Sequence, residues 1–391
     1  MAIIISTLPV LAAPSINGEA YILIDGENGQ VLHGKGFDKK LNPASTTKIL
    51  TAIIALEKGN LEEVVTIGKN VPLVQGTKVY LREGEKVTLE ELINVTLIHS
   101  ANDAALAIAE HISGSQEKFA TLMNNKAKEI GAKNSQFINP HGLTEEGHTT
   151  TAYDLAIIAK YAMKNQEFRD IVIKKVYDWE GQEWQNRLIN KNKLLWDMKN
   201  STGIKTGYTS AASHTIVASA QENGRELIAV ILGCPNGNTL WDDAQKLLEY
   251  GFKNFQSYTM SQAEQIVATL NLGKNQQVNL APVRSSSISI ASNQEINMEK
   301  NVQLDEIKLP IKEGDILGHL VINIDGKEVD KIPVQALDGA KKPINWLRGA
   351  INLFAGLFLV QILAKSSRRI IKKRRKRRTF SSNNNLRTYR Y

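Results

Sequence analysis

Ser45 and Lys48 carry the clearest chemical signal in the sequence, because a serine and a lysine three residues apart share one face of a helix. The apolar pattern of residues 46–56 predicts a largely buried helix that begins at Ser45. A helix N-terminus has partial positive charge, which lowers the cost of forming a serine alkoxide there. A partly desolvated lysine can take the serine proton. The pair therefore predicts nucleophilic catalysis without a histidine.

The spacing alone is weak evidence, because Ser115 and Lys118 repeat it. That second pair opens a polar helix, where a serine cap followed by solvated charges is the better interpretation. The helix after Lys48 is apolar for two turns, and a lysine in a buried helix needs a functional reason.

A second motif, Ser100-Ala101-Asn102, lies at the break between two predicted helices, residues 89–98 and 103–112. A side chain at such a break can reach into a cleft. The Ser100 hydroxyl could pass protons between a lysine and a leaving amine, and the Asn102 amide could bind a peptide carbonyl.

The third motif, Lys205-Thr206-Gly207, occurs once and is expected just before a strand. A lysine beside a hydroxyl can bind the terminal carboxylate of a substrate. Gly207 would let a substrate backbone lie close against the edge of the strand.

The three motifs, in this order, match the serine-lysine signatures of β-lactamases and penicillin-binding proteins. The sequence resembles the low-molecular-mass penicillin-binding proteins, the D-alanyl-D-alanine carboxypeptidases of peptidase family S11. The resemblance covers about residues 18–340. It is carried by four segments, which are NPASTTK at 42–48, HSANDAA at 99–105, NPHGL at 139–143 and GIKTGYT at 203–209.

This resemblance implies a catalytic set of Ser45, Lys48 and Ser100. Ser45 would attack the carbonyl between two D-alanines, Lys48 would be its general base, and Ser100 would assist proton transfer. The resemblance also implies an oxyanion hole formed by the backbone N–H groups of Ser45 and Tyr208. The residues expected to bind substrate are Asn102, Lys205, Thr206, Gly207 and Tyr208.

Two departures from the family pattern concern the carboxylate end of the site. The chain has Ala212-Ser213-His214 where the family commonly has Ala-Gly. It also has Leu240 where we expect an arginine that helps to bind the carboxylate. On that placement, Lys205 would carry more of the carboxylate recognition.

Two other residues are expected to have structural roles. We expect His141 to brace a loop near the site rather than to act as a base. We expect Asp154 to cap or pair within its own helix region.

The order of predicted elements indicates the fold class. Strands at both ends of the first 258 residues, with helices between them, predict one antiparallel sheet with helices on its faces. By resemblance this is the α/β (α+β) transpeptidase fold of penicillin-binding proteins and β-lactamases. We expect this catalytic domain at residues 14–258 and a small all-β domain at residues 259–340.

Both ends of the chain are similar in composition to segments that direct export or attach proteins to membranes. Residues 1–13 are mostly apolar and small, as in a secretory signal peptide, but they lack its positively charged start. We expect residues 341–364 to be a hinge and a C-terminal membrane anchor, either spanning the bilayer or lying on its surface. The tail at 365–391 would then stay in the cytoplasm, with the catalytic domain on the extracytoplasmic side of the cell membrane.

The charge distribution argues against a nucleic-acid partner. The formal net charge is +8, but residues 365–391 hold twelve Lys or Arg and no acid. Residues 1–364 have 36 basic and 40 acidic residues, so their formal charge is −4. If the basic tail bound nucleic acid, the apolar run directly before it, residues 349–364, would have no explanation.

No cofactor and no metal are implied by the sequence. Cys234 is the only cysteine, so neither an internal disulfide nor a thiolate zinc site is expected. We expect it to be a small residue of the core. No His-Glu-x-x-His or Gly-x-Ser-x-Gly motif occurs.

The sequence therefore predicts a serine D-Ala-D-Ala carboxypeptidase that acts on peptidoglycan stem peptides and is inhibited by β-lactams. One alternative is a β-lactamase of the same fold, which Ala101 disfavours because class A enzymes have aspartate there. The other is a membrane-tethered protein that binds penicillin or wall peptides without turnover. Hydrolysis after acylation of Ser45 would separate these alternatives.

Overall fold

A computed structural model describes residues 13–273 and 276–341. The predicted signal segment up to residue 12, and the predicted anchor and basic tail from residue 342, lie outside these residues. In the described part of the chain, no helix is both long enough and apolar enough to cross a membrane.

Helices form most of the segment between the second strand and residue 172. The α-helices are α1 (Lys48–Lys58), α2 (Leu89–Ile98), α3 (Asn102–Ser113), α4 (Gln116–Glu129), α5 (Ala152–Ala162), α6 (Gln166–Val172), α7 (Leu194–Asp197) and α8 (Gly237–Asn254). A short 3₁₀ turn, Ala44–Thr47, leads directly into α1.

Strands begin and end the described chain. They are β1 (Ala20–Asp25), β2 (Val31–Lys35), β3 (Val64–Thr66), β4 (Lys86–Thr88), β5 (Val176–Glu180), β6 (Gln185–Ile189), β7 (Ser201–Thr209), β8 (Ser213–Glu222), β9 (Arg225–Cys234), β10 (Phe255–Ser261), β11 (Ala268–Asn271), β12 (Gln277–Pro282), β13 (Ser286–Ala291), β14 (Met298–Leu304), β15 (Ile316–Ile324) and β16 (Lys327–Ala336).

The central sheet has the strand order β2-β1-β9-β8-β7, and each neighbouring pair is antiparallel. Its middle strands are buried on both faces, and they read as continuous apolar runs for that reason. Ile22, Ile24 and Val230 belong to one hydrophobic core, while Leu23 and Ile231 belong to another. Since neighbouring side chains of a strand point to opposite faces, these two cores lie on the two sides of the sheet.

The two cores are built by different helices. Residues of α1 to α6 pack into the larger core. The other core is closed by α8, whose buried Leu240, Ala244, Leu247 and Leu248 recur at the spacing of one helical face. The predicted antiparallel sheet with helices on its faces is therefore confirmed. Cys234 is buried in the second core, as expected.

The described residues divide into two compact units. The first runs to Ala263 and includes Arg284–Lys300 and Ile322–Asp330. The second is made of Glu264–Val283, Asn301–Val321 and the described residues from Lys331 onward. The predicted domain boundary at residue 258 stays a prediction.

The chain after residue 258 is all-β within its described residues, as the sequence predicted. A five-stranded sheet there has the order β11-β12-β16-β15-β14. The β10–β13 pair forms a separate antiparallel ribbon.

Two local features differ from the sequence prediction. The Lys205-Thr206-Gly207 motif lies inside β7 rather than before a strand. The β5–β6 hairpin was not predicted, because most of its side chains are exposed and its apolar alternation is weak.

The ion pair between Asp25 and Arg225 is a testable source of stability. Asp25 is 1% exposed, and its carboxylate accepts hydrogen bonds from Arg225 Nε at 3.2 Å and Ser289 Oγ at 2.6 Å. Because Arg225→Gln leaves that carboxylate buried without its cation, we expect a loss of about 3 kcal/mol in the free energy of unfolding. Urea denaturation of the whole chain measures it.

The exposed pair of Arg187 and Asp178 provides the matched control. We expect Arg187→Gln to change the free energy of unfolding by less than about 1 kcal/mol. Equal losses in the two variants would show that burial of Asp25 does not set the strength of its ion pair.

Candidate active site

Ser45 and Lys48 meet where the 3₁₀ turn becomes α1. Ser45 lies in the turn, and Lys48 is the first residue of the α-helix. The Lys48 side chain is fully buried, and its Nζ lies 3.0 Å from Ser45 Oγ. It also donates to Asn102 Oδ1 and to the backbone carbonyl of His141, each at 2.6 Å.

These three contacts define what the Lys48 amine can do. A neutral amine has two N–H donors and one lone pair, whereas an ammonium has three donors and no acceptor site. The oxygens of Asn102 and His141 take two donors. In the neutral form, the lone pair is therefore left to accept the proton of the Ser45 hydroxyl.

The surroundings favour that neutral form. Complete burial lowers the pKa of Lys48 well below its usual value, and the positive charges of Lys205 and Lys191 lower it further. Asp103 acts in the opposite direction. No carboxylate of the described residues forms an ion pair with Lys48.

Asn102 connects the second motif to the first. Its side chain accepts from Lys48 and donates to the carbonyl of Gln75 at 2.7 Å. Ser100 is buried between α2 and α3, in a left-handed conformation with φ of 70°. Its hydroxyl has no hydrogen-bond partner among the described residues, so it is available to a substrate.

Lys205 supplies a second buried amine from β7. Burial, with a further contribution from Lys191, lowers the pKa of Lys205 to about 7. Its Nζ donates to the carbonyl of Thr206 at 2.9 Å. Lys205 can therefore carry its proton near neutral pH and attract an anion.

Gly207 lets β7 approach the nucleophile. A Cβ atom at this position would lie 2.7 Å from the backbone nitrogen of Ser45 and 2.6 Å from Thr215 Oγ1. Any larger residue would therefore push the strand and the 3₁₀ turn apart. Because β7 is the last strand of its sheet, the backbone groups on its free edge can pair with an extended substrate.

Tyr208 follows this close approach and presents its ring to solvent. The ring packs on His214 of β8, with the ring centroids 4.5 Å apart. The predicted role of the Tyr208 N–H in an oxyanion hole stays a prediction.

Lys191 is a third cation of the site, and sequence reasoning missed it. Its Nζ donates to Thr77 Oγ1 at 3.1 Å, and its charge lowers the pKa of both Lys48 and Lys205. Burial, Lys191 and then Lys205 also lower the pKa of His99 to about 4. The cleft therefore has a positive potential that suits an anionic substrate group. The connection that carries Lys191 follows the unpredicted β5–β6 hairpin.

Leu240 stands where we expected an arginine that helps to bind the carboxylate. It is buried in the core that α8 closes. The expectation that Lys205 carries more of the carboxylate recognition stays a prediction, and Lys191 is a further cation close enough to lower its pKa.

His141 has the structural role that we expected, whereas the Asp154 carboxylate bonds to residues outside its own helix region. His141 Nδ1 accepts from the N–H of Leu143, and its carbonyl holds Lys48. Burial lowers the pKa of His141 to about 3, so the ring is neutral. Asp154 accepts from Ser135 Oγ at 2.7 Å and fastens α5 to the preceding loop.

His148 also supports the nucleophile turn, although no sequence signal identified it. Its Nδ1 accepts from the N–H of Ile138, so its Nε2 carries the proton and donates to Thr47 Oγ1 at 2.9 Å. Thr47 stands between Ser45 and Lys48. This buried histidine therefore positions the turn without contacting the reacting atoms.

Two family models match the chain. One is described as D-alanyl-D-alanine carboxypeptidase and matches residues 9–236. The other is described as the C-terminal domain of penicillin-binding protein 5 and matches residues 255–342.

Curated proteins with similar sequences have the same description. The chain is 35% identical over 331 residues to the D-alanyl-D-alanine carboxypeptidase DacF of Bacillus subtilis, covering 82% of this chain and 85% of that protein. It is 33% identical over 346 residues to the D-alanyl-D-alanine carboxypeptidase DacC of Escherichia coli, covering 84% and 86%.

Solved structures extend the similarity to the fold. Penicillin-binding protein 5 of Haemophilus influenzae superposes with a TM-score of 0.74 at 28% identity, covering 85% of this chain and all of that one. Penicillin-binding protein 6B of Escherichia coli gives a TM-score of 0.66 at 27% identity, with coverage of 82% and 96%.

The charge state of Lys205 predicts a pH dependence. Above pH about 7 this lysine loses its proton and its attraction for a carboxylate. We therefore expect the second-order rate constant for acylation of Ser45 by benzylpenicillin to fall as the pH rises through about 7. In Lys191→Gln the same fall should occur at higher pH, because Lys191 lowers the pKa of Lys205.

Stopped-flow acylation of the whole chain between pH 5 and 9 would measure both profiles, with Lys118→Gln, which removes an exposed charge of α4 outside the site, as the control. A wild-type rate that stays level across this range would refute the assignment of Lys205 as the titrating group.

Proposed function

The chain belongs to the D-alanyl-D-alanine carboxypeptidase family, peptidase family S11, and we propose how its residues carry out the reaction. The enzyme is a serine D-Ala-D-Ala carboxypeptidase, which removes the terminal D-alanine of peptidoglycan stem pentapeptides and is inhibited by penicillin. The observation that carries the mechanism is the contact of 3.0 Å between Lys48 Nζ and Ser45 Oγ in a buried site.

Acylation begins with proton transfer from Ser45 to neutral Lys48. Asn102 and the His141 carbonyl hold the amine in place, so its lone pair faces the hydroxyl before substrate arrives. Such preorganisation removes reorientation from the barrier. Ser45 Oγ then attacks the carbonyl carbon of the penultimate D-alanine.

The oxyanion that forms would be stabilised by the N–H groups of Ser45 and Tyr208. The close approach of Gly207 to the Ser45 nitrogen supports this arrangement, since it brings β7 to the nucleophile. Lys205, Thr206 and Lys191 would hold the terminal carboxylate. The asparagine amide of Asn102 faces the same cleft.

The C–N bond breaks as the leaving amine takes a proton. Ser100, whose hydroxyl has no partner among the described residues, would relay this proton from Lys48 to the amine. Water then attacks the ester of Ser45, with Lys48 as the base again. The acyl group leaves as a carboxylate, and Ser45 regains its hydroxyl.

This mechanism distinguishes the enzyme from a β-lactamase with a dedicated carboxylate for deacylation. Among the described residues, no Asp or Glu hydrogen-bonds to Ser45 or Lys48. The penicilloyl ester is therefore expected to hydrolyse slowly, which makes β-lactams inhibitors.

We further propose that the C-terminal segment attaches the enzyme to the cell membrane. The support is the uncharged run at 349–364 followed by the basic tail at 365–391. On this proposal the catalytic domain lies on the extracytoplasmic side, where stem peptides are found, and the apolar residues 1–13 act in export.

Release of free D-alanine from an acylated L-Lys-D-Ala-D-Ala peptide tests the function. We expect the wild-type chain to release it and Ser45→Ala to lose at least about 10³-fold in kcat/KM, because no other nucleophile replaces the hydroxyl. Ser115→Ala changes the second Ser-x-x-Lys motif and should retain full activity.

Equal rates for the wild-type chain and Ser45→Ala would rule out the proposed nucleophile. Penicillin labelling that disappears only in Ser45→Ala would support it independently of turnover.

A further inference from the structure

An apolar groove of about 500 Å³ lies where β6 ends and α7 begins. Most of its wall surface is apolar. We call it the Trp196 groove, and it is lined by Ile189, Asn190, Lys191, Lys193, Trp196 and Asp197.

Large apolar side chains at this groove are open to solvent. Ile189 is 63% exposed and Trp196 is 44% exposed. Val176, 47% exposed, is paired directly opposite Ile189 across the β5–β6 hairpin, so both lie on one face. Exposed apolar side chains that gather at a concave surface are typical of a binding site.

A chain of hydrogen bonds links the catalytic residues to Lys191, which lines the Trp196 groove. Lys48 is bonded to the Asn102 side chain, and the Asn102 N–H donates to the Thr77 carbonyl at 2.7 Å. The Thr77 hydroxyl accepts from Lys191, which forms one wall of the groove. Lys191 thus stands between the reacting centre and the groove.

The charges around the groove fit an occupant with one anionic end and one apolar end. Lys191 and Lys193 line the groove, and Lys175 Nζ lies 5.8 Å from the centre of the Trp196 ring. A carboxylate held by Lys191 in the cleft would place the rest of the same residue beside the apolar wall. A methyl group, as in alanine, would fill only a small part of the space.

We propose that the Trp196 groove binds the side chain of the leaving residue when that residue is a D-amino acid with an extended apolar side chain. This rests on the proposed function, which places the leaving carboxylate at Lys205 and Lys191. The enzyme would then release such D-amino acids, as well as D-alanine, from the C-terminus of wall peptides.

The reaction is the same hydrolysis with a larger leaving group. Ser45 Oγ forms the ester with the penultimate D-alanine, and the C–N bond to the D-amino acid breaks as its amine takes the proton. Water then cleaves the ester. No co-reactant beyond water is needed, and only the contacts of the leaving side chain change.

Two peptides that differ only in the last residue test the proposal with the whole chain. One is an acylated L-Lys-D-Ala-D-Ala and the other an acylated L-Lys-D-Ala-D-Leu. We expect the wild-type enzyme to release D-leucine with a kcat/KM within about tenfold of that for D-alanine. Trp196→Ala should lower D-leucine release about tenfold and D-alanine release less than twofold, because only the longer side chain reaches the ring.

Ile189→Ala provides a second variant on the exposed part of the wall, where folding is less at risk. Val64→Ala, an exposed valine of β3 outside the groove, is its matched control. Ile189→Ala should lower D-leucine release selectively, whereas Val64→Ala should change neither rate.

The outcomes separate the two proposals. Normal D-alanine release with D-leucine release more than about 100-fold slower would overturn the groove proposal alone. Equal losses for both peptides in Trp196→Ala and Ile189→Ala would overturn it as well. Failure of the wild-type enzyme to release D-alanine would overturn the proposed function, and the groove proposal with it.

Discussion

The active site depends on Lys48, which is buried without a carboxylate partner among the residues that the structure describes. An ammonium in such a place loses its hydration, and the nearby charges of Lys205 and Lys191 are repulsive. The ammonium form of Lys48 is therefore less stable relative to the neutral amine than it would be in water. The neutral amine can act as a base. An acidic residue placed to neutralise Lys48 would stabilise the ammonium and remove the base from the reaction.

Several distant segments hold this amine in its working orientation. α3 supplies Asn102, and the loop before α5 supplies the His141 carbonyl. That loop fits beneath the nucleophile turn because Gly142, with φ of 86°, has no Cβ; one would lie 1.9 Å from the carbonyl oxygen of Ala44. The fold thus uses close backbone contacts, rather than an ion pair, to fix the position of a neutral group.

The sequence predicted the parts of the site that rest on local patterns. Three of these parts can be recognised in the sequence itself. They are the Ser45–Lys48 spacing, the helix break at Ser100 and the apolar strands β8 and β9. Lys191 was missed because it follows a hairpin that is mostly exposed, and exposed strands leave little apolar periodicity.

The protonation state of Lys48 is the central claim, and NMR measures it directly. The chain would be labelled with ¹³C at lysine Cε, the Lys48 signal assigned by its loss in Lys48→Met, and its shift followed with pH. We expect a midpoint well below the usual 10.5 of lysine, caused first by burial and then by Lys205 and Lys191. A midpoint at or above 10.5 would contradict it, since Lys48 would then be an ammonium with no lone pair for Ser45.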